Sequence, residues 1–413
     1  MSSIYDYATL VGFDYANVPG VMKIFPENTN MGVEALYFAT SCWPFEERSF
    51  SKEKLPMIYS FNGKTTYFHS LIFLYNHQVY AIIMATRRPF ASLLTTFLKQ
   101  IKEQFMLSSI PEPNNAFTYV TSIISSWPRG AVESAVLTFP TSSLAINFDY
   151  SQFSYTQYNP KRYFLVEEAM RMWKALIIGD PILIICPTAD IASKACFAAF
   201  SLISPLLFDD ASILWLHESD SRYNEILSGT TQYKVVASPS EKLAKYCHQF
   251  KVVVHVPEIK KQSTDINIHE KTNKITTKVL KMILGELEML LSIDPYSDFV
   301  ERKFATDHFN MMIKEFGKGD GMTIEDYAKF ENSETFKHWR RAQALRSNLR
   351  DALLSYVPSD NFTKRSQKEL LQIMEGIESI KVKYWNDAHV MAVLKKHQSR
   401  VEKLIKSNKT ETK

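Results

Sequence analysis

This 413-residue chain is poor in glycine, with twelve, and poorer in cysteine, with four. The glycines never form Gly-x-x-x-x-Gly-Lys-Ser/Thr, so a P-loop nucleotide hydrolase is not expected. Gly317-Lys318-Gly319-Asp320-Gly321 comes nearest, but its lysine is misplaced and no strand precedes it. It reads as a helix–helix loop. Cys42, Cys186, Cys196 and Cys247 lie far apart without metal spacing, which points to a reducing compartment and no structural zinc. Neither Gly-x-Ser-x-Gly nor His-Glu-x-x-His occurs, and His69, His77, His217, His255 and His308 stand alone. No apolar run reaches the length of a membrane span. Residues 1–20 lack the layout of a secretory leader, because Asp6 and Asp14 interrupt it. Zinc fingers, RNA-binding sheet motifs and a strongly basic domain are missing, so nucleic acid is not an expected partner.

The most informative stretch runs from Glu168 to Leu206. Met170, Trp173, Leu176 and Ile177 recur at three- and four-residue intervals, the spacing of one helix face. Gly179-Asp180-Pro181 should end that helix, since glycine tolerates a left-handed cap and proline cannot continue it. Ile182 to Cys186 is continuously apolar, the form of a strand covered on both faces. Pro187 to Asp190 reads as a turn, with Thr188 or Asp190 as the next helix cap. The helix from Ile191 to Ile203 has almost no polar face, so it must be buried, and Ser204-Pro205-Leu206 stops it.

Similar punctuation organises the rest. Tyr67–Leu74 and Val79–Met84 read as strands joined by a hairpin at Tyr75–Gln78. Phe90, Leu93, Leu94, Phe97, Leu98, Ile101 and Phe105 then mark an amphipathic helix. Pro111 to Asn115 reads as a linker. Strands are expected at Ala135–Phe139, Ile182–Cys186, Ser212–Leu216, Tyr233–Ala237 and Val252–Val256, alternating with helices around a largely parallel sheet. Beyond a polar hinge at Lys260–Lys271 the pattern is helical, first through Ile275, Val279, Met282, Ile283, Leu287, Leu290 and Leu291. Phe299, Phe304, Phe309, Met312 and Phe316 belong to the next helical elements.

The run Met172-Trp173, Gly179-Asp180-Pro181, the apolar strand, Pro187-Thr188 and Ile203-Ser204-Pro205-Leu206 resembles the central signature of the DENN family, exchange factors for Rab GTPases. Val11 to Asp14, Phe25-Pro26-Glu27 and Trp43-Pro44 resemble the opening of that family's longin-like first lobe. Trp127-Pro128 resembles the start of its second lobe. Phe336-Lys337-His338-Trp339-Arg340-Arg341 is similar to the ending of its helical third part. The likeness covers roughly residues 5 to 350 and is nearest to short, stand-alone members. It implies a longin-like α/β lobe (1–112), a second α/β lobe with a largely parallel sheet (118–258) and an all-helical part (272–358).

The resemblance further implies a guanine-nucleotide exchange factor for a Rab-family GTPase in vesicle traffic, with no cofactor and no covalent chemistry. It implies a cytoplasmic protein recruited to endosomal or other intracellular membranes. By position, the loops that would hold the Rab include Thr188, Asp190, Asp209, Asp210, His217, Glu218 and Asp220. Trp173, Gly179, Asp180, Pro181, Pro205 and Trp339 read instead as determinants of the fold. Two departures stand out. Lys64-Thr65-Thr66-Tyr67-Phe68 replaces an Arg-Gly-Tyr-type segment, which argues against an arginine-finger activator and leaves Arg87 and Arg88 as the remaining candidates. The third part matches only at a few aromatic positions. The alternative reading is a non-exchanging scaffold subunit of a heteromeric complex. Neither the particular Rab nor the oligomeric state is legible.

Charge is unevenly spread. The formal net charge is +4. Residues 361–413 hold twelve Lys or Arg against six Asp or Glu, so the preceding 360 residues sum to −2. The tail reads as two amphipathic helices with basic outer faces ahead of a disordered last ten residues. Contact with an acidic membrane is one expectation for it. A solvated helix packed back on the third part is the other.

Overall fold

The computed structural model describes residues 4–13, 19–29, 55–63, 66–86, 90–128, 134–147, 158–208, 210–229, 232–257, 267–284, 295–296, 322–337, 339–340, 353–354, 356, 358, 362–363 and 365–410. Expectations for Cys42, Trp43-Pro44, Lys64-Thr65, Arg87 and Arg88, Asp209, Leu287 to Leu291, Phe299 to Phe316 and Gly317 to Gly321 fall outside them. So do the ends of two motifs, Asp14 and Arg341, together with His338. The architecture is α/β: an antiparallel sheet, then a parallel sheet, then helices. Contacts divide it into two compact units, Met1–Asn273 and Lys274–Lys413.

The first sheet comprises β1 (Tyr7–Phe13), β2 (Pro19–Phe25), β3 (Met57–Asn62), β4 (Tyr67–Tyr75) and β5 (Gln78–Thr86). It is antiparallel in the order β2-β1-β5-β4-β3, which leaves β2 and β3 as edges. Its tightest connection, the hairpin between β4 and β5, was legible in sequence. Asn76 and His77 both take positive φ, 46° and 63°, as a two-residue turn matched to strand twist requires. Helix α1 (Ala91–Leu107) lays its buried stripe of Leu93, Leu94, Phe97, Leu98, Ile101 and Phe105 on this sheet.

The chain then departs from the expected order. Pro113 opens helix α2 (Pro113–Ile124) rather than lying in a linker, because proline at the first helical position sacrifices only an unpaired N–H. Ala116, Phe117, Val120 and Ile124 of α2 join the first core, as do Trp127, Leu137 and Phe139. The strand expected at Ala135–Phe139 is β6 (Ser134–Thr138). It pairs antiparallel with β7 (Ser143–Asn147) and takes no part in the parallel sheet. An apolar strand pattern does not say which sheet recruits it, nor that every apolar residue is covered: Val136 is exposed.

The parallel sheet has the order β11-β8-β10-β9, with β8 (Ile182–Ile185), β9 (Ser212–Ile213), β10 (Val235–Ser238) and β11 (Val252–His255). Strand β9 is shorter than the run Ser212–Leu216 suggested. Helices α3 (Val166–Ile178) and α4 (Ala189–Ser201) pack on one face. Helices α5 (Ser221–Leu227) and α6 (Glu241–Tyr246) pack on the other, over Leu183, Ile185 and Val236. Both faces of β8 are thus covered, as its uninterrupted apolar run requires. The buried residues of α3 are Ala169, Met172, Trp173, Ala175, Leu176 and Ile177, so Met172 rather than Met170 faces the core.

Helix α4 owes its apolar surface to burial between two layers. It contacts the parallel sheet through β8 and β10 and the antiparallel sheet through β3. Phe197 meets His69 of β4 at 6.2 Å between ring centroids. Ser193 Oγ accepts from the N–H of Ser60 on the edge strand at 3.4 Å.

The second unit is helical. Helix α7 (Ile268–Leu284) crosses the division between the units, and α8 (Ile324–Glu331) starts at a capping box of Thr323 and Asp326. Phe336 stacks on Trp339 at 6.0 Å and meets Phe330 at 5.0 Å. Helices α9 (Gln367–Lys383) and α10 (Ala388–Thr410) pack together. Their core holds Leu370, Ile373, Ile377, Val390, Leu394 and Val401. Among the described residues of the last ten, expected to be disordered, Leu404 to Thr410 continue α10, and Leu404 and Ile405 pack against that core.

Candidate functional site

In a parallel sheet every strand delivers its following loop to one edge, where α/β folds place ligands and partners. Four loops converge there. They follow β8 (186–188), β9 (214–220), β10 (239–240) and β11 (256–257). Since β10 lies between β8 and β9, the loops after β8 and β9 sit roughly 10 Å apart in the sheet, two strand spacings.

The first loop begins where Gly179 closes α3. It takes φ 73°, and the N–H groups of Gly179 and Asp180 both reach Ala175 O. Pro181 then accepts from the Lys251 N–H at 2.9 Å, which ties the start of β8 to β11. After β8, Thr188 caps α4 by accepting from the Ile191 N–H at 3.4 Å. Asp190, in the first turn, pairs with Lys194 at 2.6 Å, and both side chains stay partly exposed. Burial, and then the charge of Asp190, push the Tyr163 hydroxyl up to about 12. The Cys186 thiol at the end of β8 is also pushed up to about 12 by burial, which disfavours its thiolate form. Pro205, half-buried, follows the end of α4.

The second loop carries the richest polar network. His217 Nδ1 lies 2.9 Å from Ser219 Oγ. Glu218 is exposed and faces Lys242 at 3.2 Å, while Ser240 Oγ donates to it at 3.1 Å. These contacts, Lys242 first, hold its carboxyl below the usual range. Ser240 also meets the hydroxyl of Tyr223 at 2.7 Å, and Ser238 Oγ donates to Leu216 O at 2.7 Å. The loops after β9 and β10 therefore form one connected surface.

Asp220 behaves differently from its neighbours. It caps α5 and forms a forked pair with Arg222, Nη2 to Oδ2 at 2.6 Å and Nε to Oδ1 at 2.9 Å. The two side chains are only 8% and 7% exposed. Arg222 Nη1 reaches on to Asn62 O of β3 at 3.2 Å. Asp220 is consumed inside the fold, which corrects its expected place on the contact surface. Asp210 is half-buried before β9.

Thr188, Asp190, His217 and Glu218 thus lie on the same sheet edge. The sequence reading missed Asn62, Arg222, Tyr223, Ser240 and Lys242. Only Asn62 left a signal, as the second polar residue at alternate positions of an otherwise apolar strand. Among the described residues no group of three His, Cys, Asp or Glu side chains could hold a metal ion. No helix among them is long and apolar enough to cross a membrane.

No known family model matches the chain, and no curated protein matches it.

Proposed function

We propose that this chain is a guanine-nucleotide exchange factor of the DENN kind, acting on a Rab-type GTPase at an endosomal or other intracellular membrane. The observation that carries the reading is how residues 166–206 fold. Trp173 is fully buried, Gly179 takes the left-handed cap and the following strand is covered on both faces. Thr188 caps a helix enclosed between two sheets. Four of the five pieces of the run that resembles the DENN signature have a structural task suited to their residue types. An antiparallel sheet with long helices against it, followed by a largely parallel sheet, is also what the resemblance implies.

Exchange breaks no covalent bond. It requires tighter binding to the nucleotide-free GTPase than to the GDP-bound form, and that difference in affinity sets the acceleration. The edge carrying Thr188, Asp190, His217 and Glu218 is the surface assigned to the GTPase. Its polar groups are held in place by Lys194, Ser240 and Lys242, which favours a preorganised contact. Co-elution of the chain with Rab proteins, stripped of nucleotide or loaded with GDP, tests this. Retention of the empty form alone supports exchange. Equal retention of both forms favours the scaffold reading, and retention of neither removes the GTPase from the account.

A further inference from the structure

The turn between α9 and α10 presents two large apolar side chains to solvent. Val382 is 77% exposed and Trp385 is 76% exposed. They stand three residues apart at the end of the helical pair. The turn that carries them is well built. The Tyr384 N–H reaches Ile380 O at 3.1 Å, and the Asp387 N–H reaches Tyr384 O at 2.9 Å. Asp387 Oδ1 then accepts from the N–H groups of His389 and Val390, both at 3.1 Å. Tyr384 packs on the core of the unit, so this aromatic is used by the fold and Trp385 is not. A tight turn needs no tryptophan, and two large apolar groups exposed three residues apart concentrate apolar surface at one place, which is the informative departure from ordinary surfaces.

Charge identifies what covers it. Helix α10 carries six lysine or arginine residues against the single acid Glu402. Its inner face is Val390, Leu394 and Val401, while Lys395, Lys396 and Lys403 are exposed on the outer side. Near the turn, Glu378 of α9 is neutralised by Lys381 at 2.7 Å. An apolar, tryptophan-bearing turn that leads into a basic helix has the chemistry of an interfacial membrane contact. Tryptophan suits the headgroup boundary, and lysines attract acidic lipid.

We propose that the α9–α10 hairpin docks on acidic lipid bilayers, with Val382 and Trp385 entering the interface and Lys395, Lys396 and Lys403 facing the headgroups. This does not depend on the exchange reading, because GDP release can be read in solution without lipid.

The test is flotation of the full chain with phosphatidylcholine vesicles and with vesicles that also contain phosphatidylserine. The chain should float with the acidic vesicles and much less with the neutral ones. Trp385→Ser combined with Val382→Ser should lower that partition about tenfold, and so should Lys395→Glu combined with Lys396→Glu. All four side chains are exposed, so melting temperatures should match the parent chain. Failure of the parent chain to float with acidic vesicles overturns the proposal. So does flotation that both double variants leave unchanged, or that is equal on neutral vesicles.

Discussion

Asn62 sews the two sheets together by imitating a peptide group for Leu214. Its Oδ1 accepts from the Leu214 N–H at 2.9 Å while its Nδ2 donates to Ser212 O at 2.6 Å. The residue ends β3, an edge of the antiparallel sheet, and its partners lie at β9, an edge of the parallel one. One side chain thus occupies backbone groups that an exposed edge would offer to another chain.

Replacing Asn62 should therefore cost stability beyond the loss of an ordinary surface amide. Asn62→Ala leaves a buried N–H and a buried carbonyl without this partner, and about 1–3 kcal/mol is expected. Asn62→Asp keeps the shape but sets a carboxylate against the Ser212 carbonyl, so it should cost more. Urea denaturation of both variants checks the order. Equal midpoints for both variants and the parent chain would remove Asn62 from the seam's energetics.

Asp220 and Glu218, two residues apart, should separate stability from partner binding. Asp220→Ala strands Arg222 as a buried, uncompensated charge, and about 3–5 kcal/mol should be lost. Arg222→Met placed on Asp220→Asn should recover part of that loss. Glu218→Ala should leave the melting temperature close to the parent value and weaken GTPase binding. Comparing thermal melts with binding isotherms for the three variants separates the two effects.

Acid should destabilise the fold through two buried histidines. Burial lowers His69 from 6.5 to about 3 and His397 from 6.5 to about 4. His69 sits 2.8 Å from Ser60 Oγ, and His397 sits 2.6 Å from the Tyr296 hydroxyl. Both are neutral in the folded chain. Below pH 6.5 the unfolded chain binds protons that the folded chain refuses, so stability is full above that pH and falls as pH drops toward the folded values. Each such histidine contributes about 1.4 kcal/mol per pH unit within its window. His69→Gln should flatten the melting temperature against pH between about 6 and 4. An unchanged slope would show that His69 does not contribute.

Gly179 and Trp173 test the backbone and packing parts of the central run. A Cβ at Gly179 would meet nothing within 4 Å, so Gly179→Ala should cost only its left-handed φ of 73°, about 1–2 kcal/mol. Trp173→Ala opens a cavity in the core and should cost about 3–5 kcal/mol. Activity per folded molecule should survive Gly179→Ala, which an activity assay corrected for folded fraction would show.

Local rules carried most of what was legible in the sequence. The αL cap at Gly179, the Thr188 cap, the Asn76-His77 turn and the buried face of α1 all follow from a few neighbouring residues. Long-range choices did not. Nothing near Ser134–Thr138 says that it pairs with Ser143–Asn147 instead of joining the parallel sheet, and Pro113 suits a helix start as well as a linker. The candidate edge was legible as loops after strands. The burial of Asp220 was not, because its cause is an arginine two residues on that reaches a carbonyl 160 residues earlier in the chain.

The most direct measurement is GDP release from a panel of purified Rab GTPases, each with and without the chain. The expected result is acceleration for one or two of them, diminished by Glu218→Ala without loss of fold. Unchanged release across a broad panel of properly loaded Rabs would contradict exchange activity.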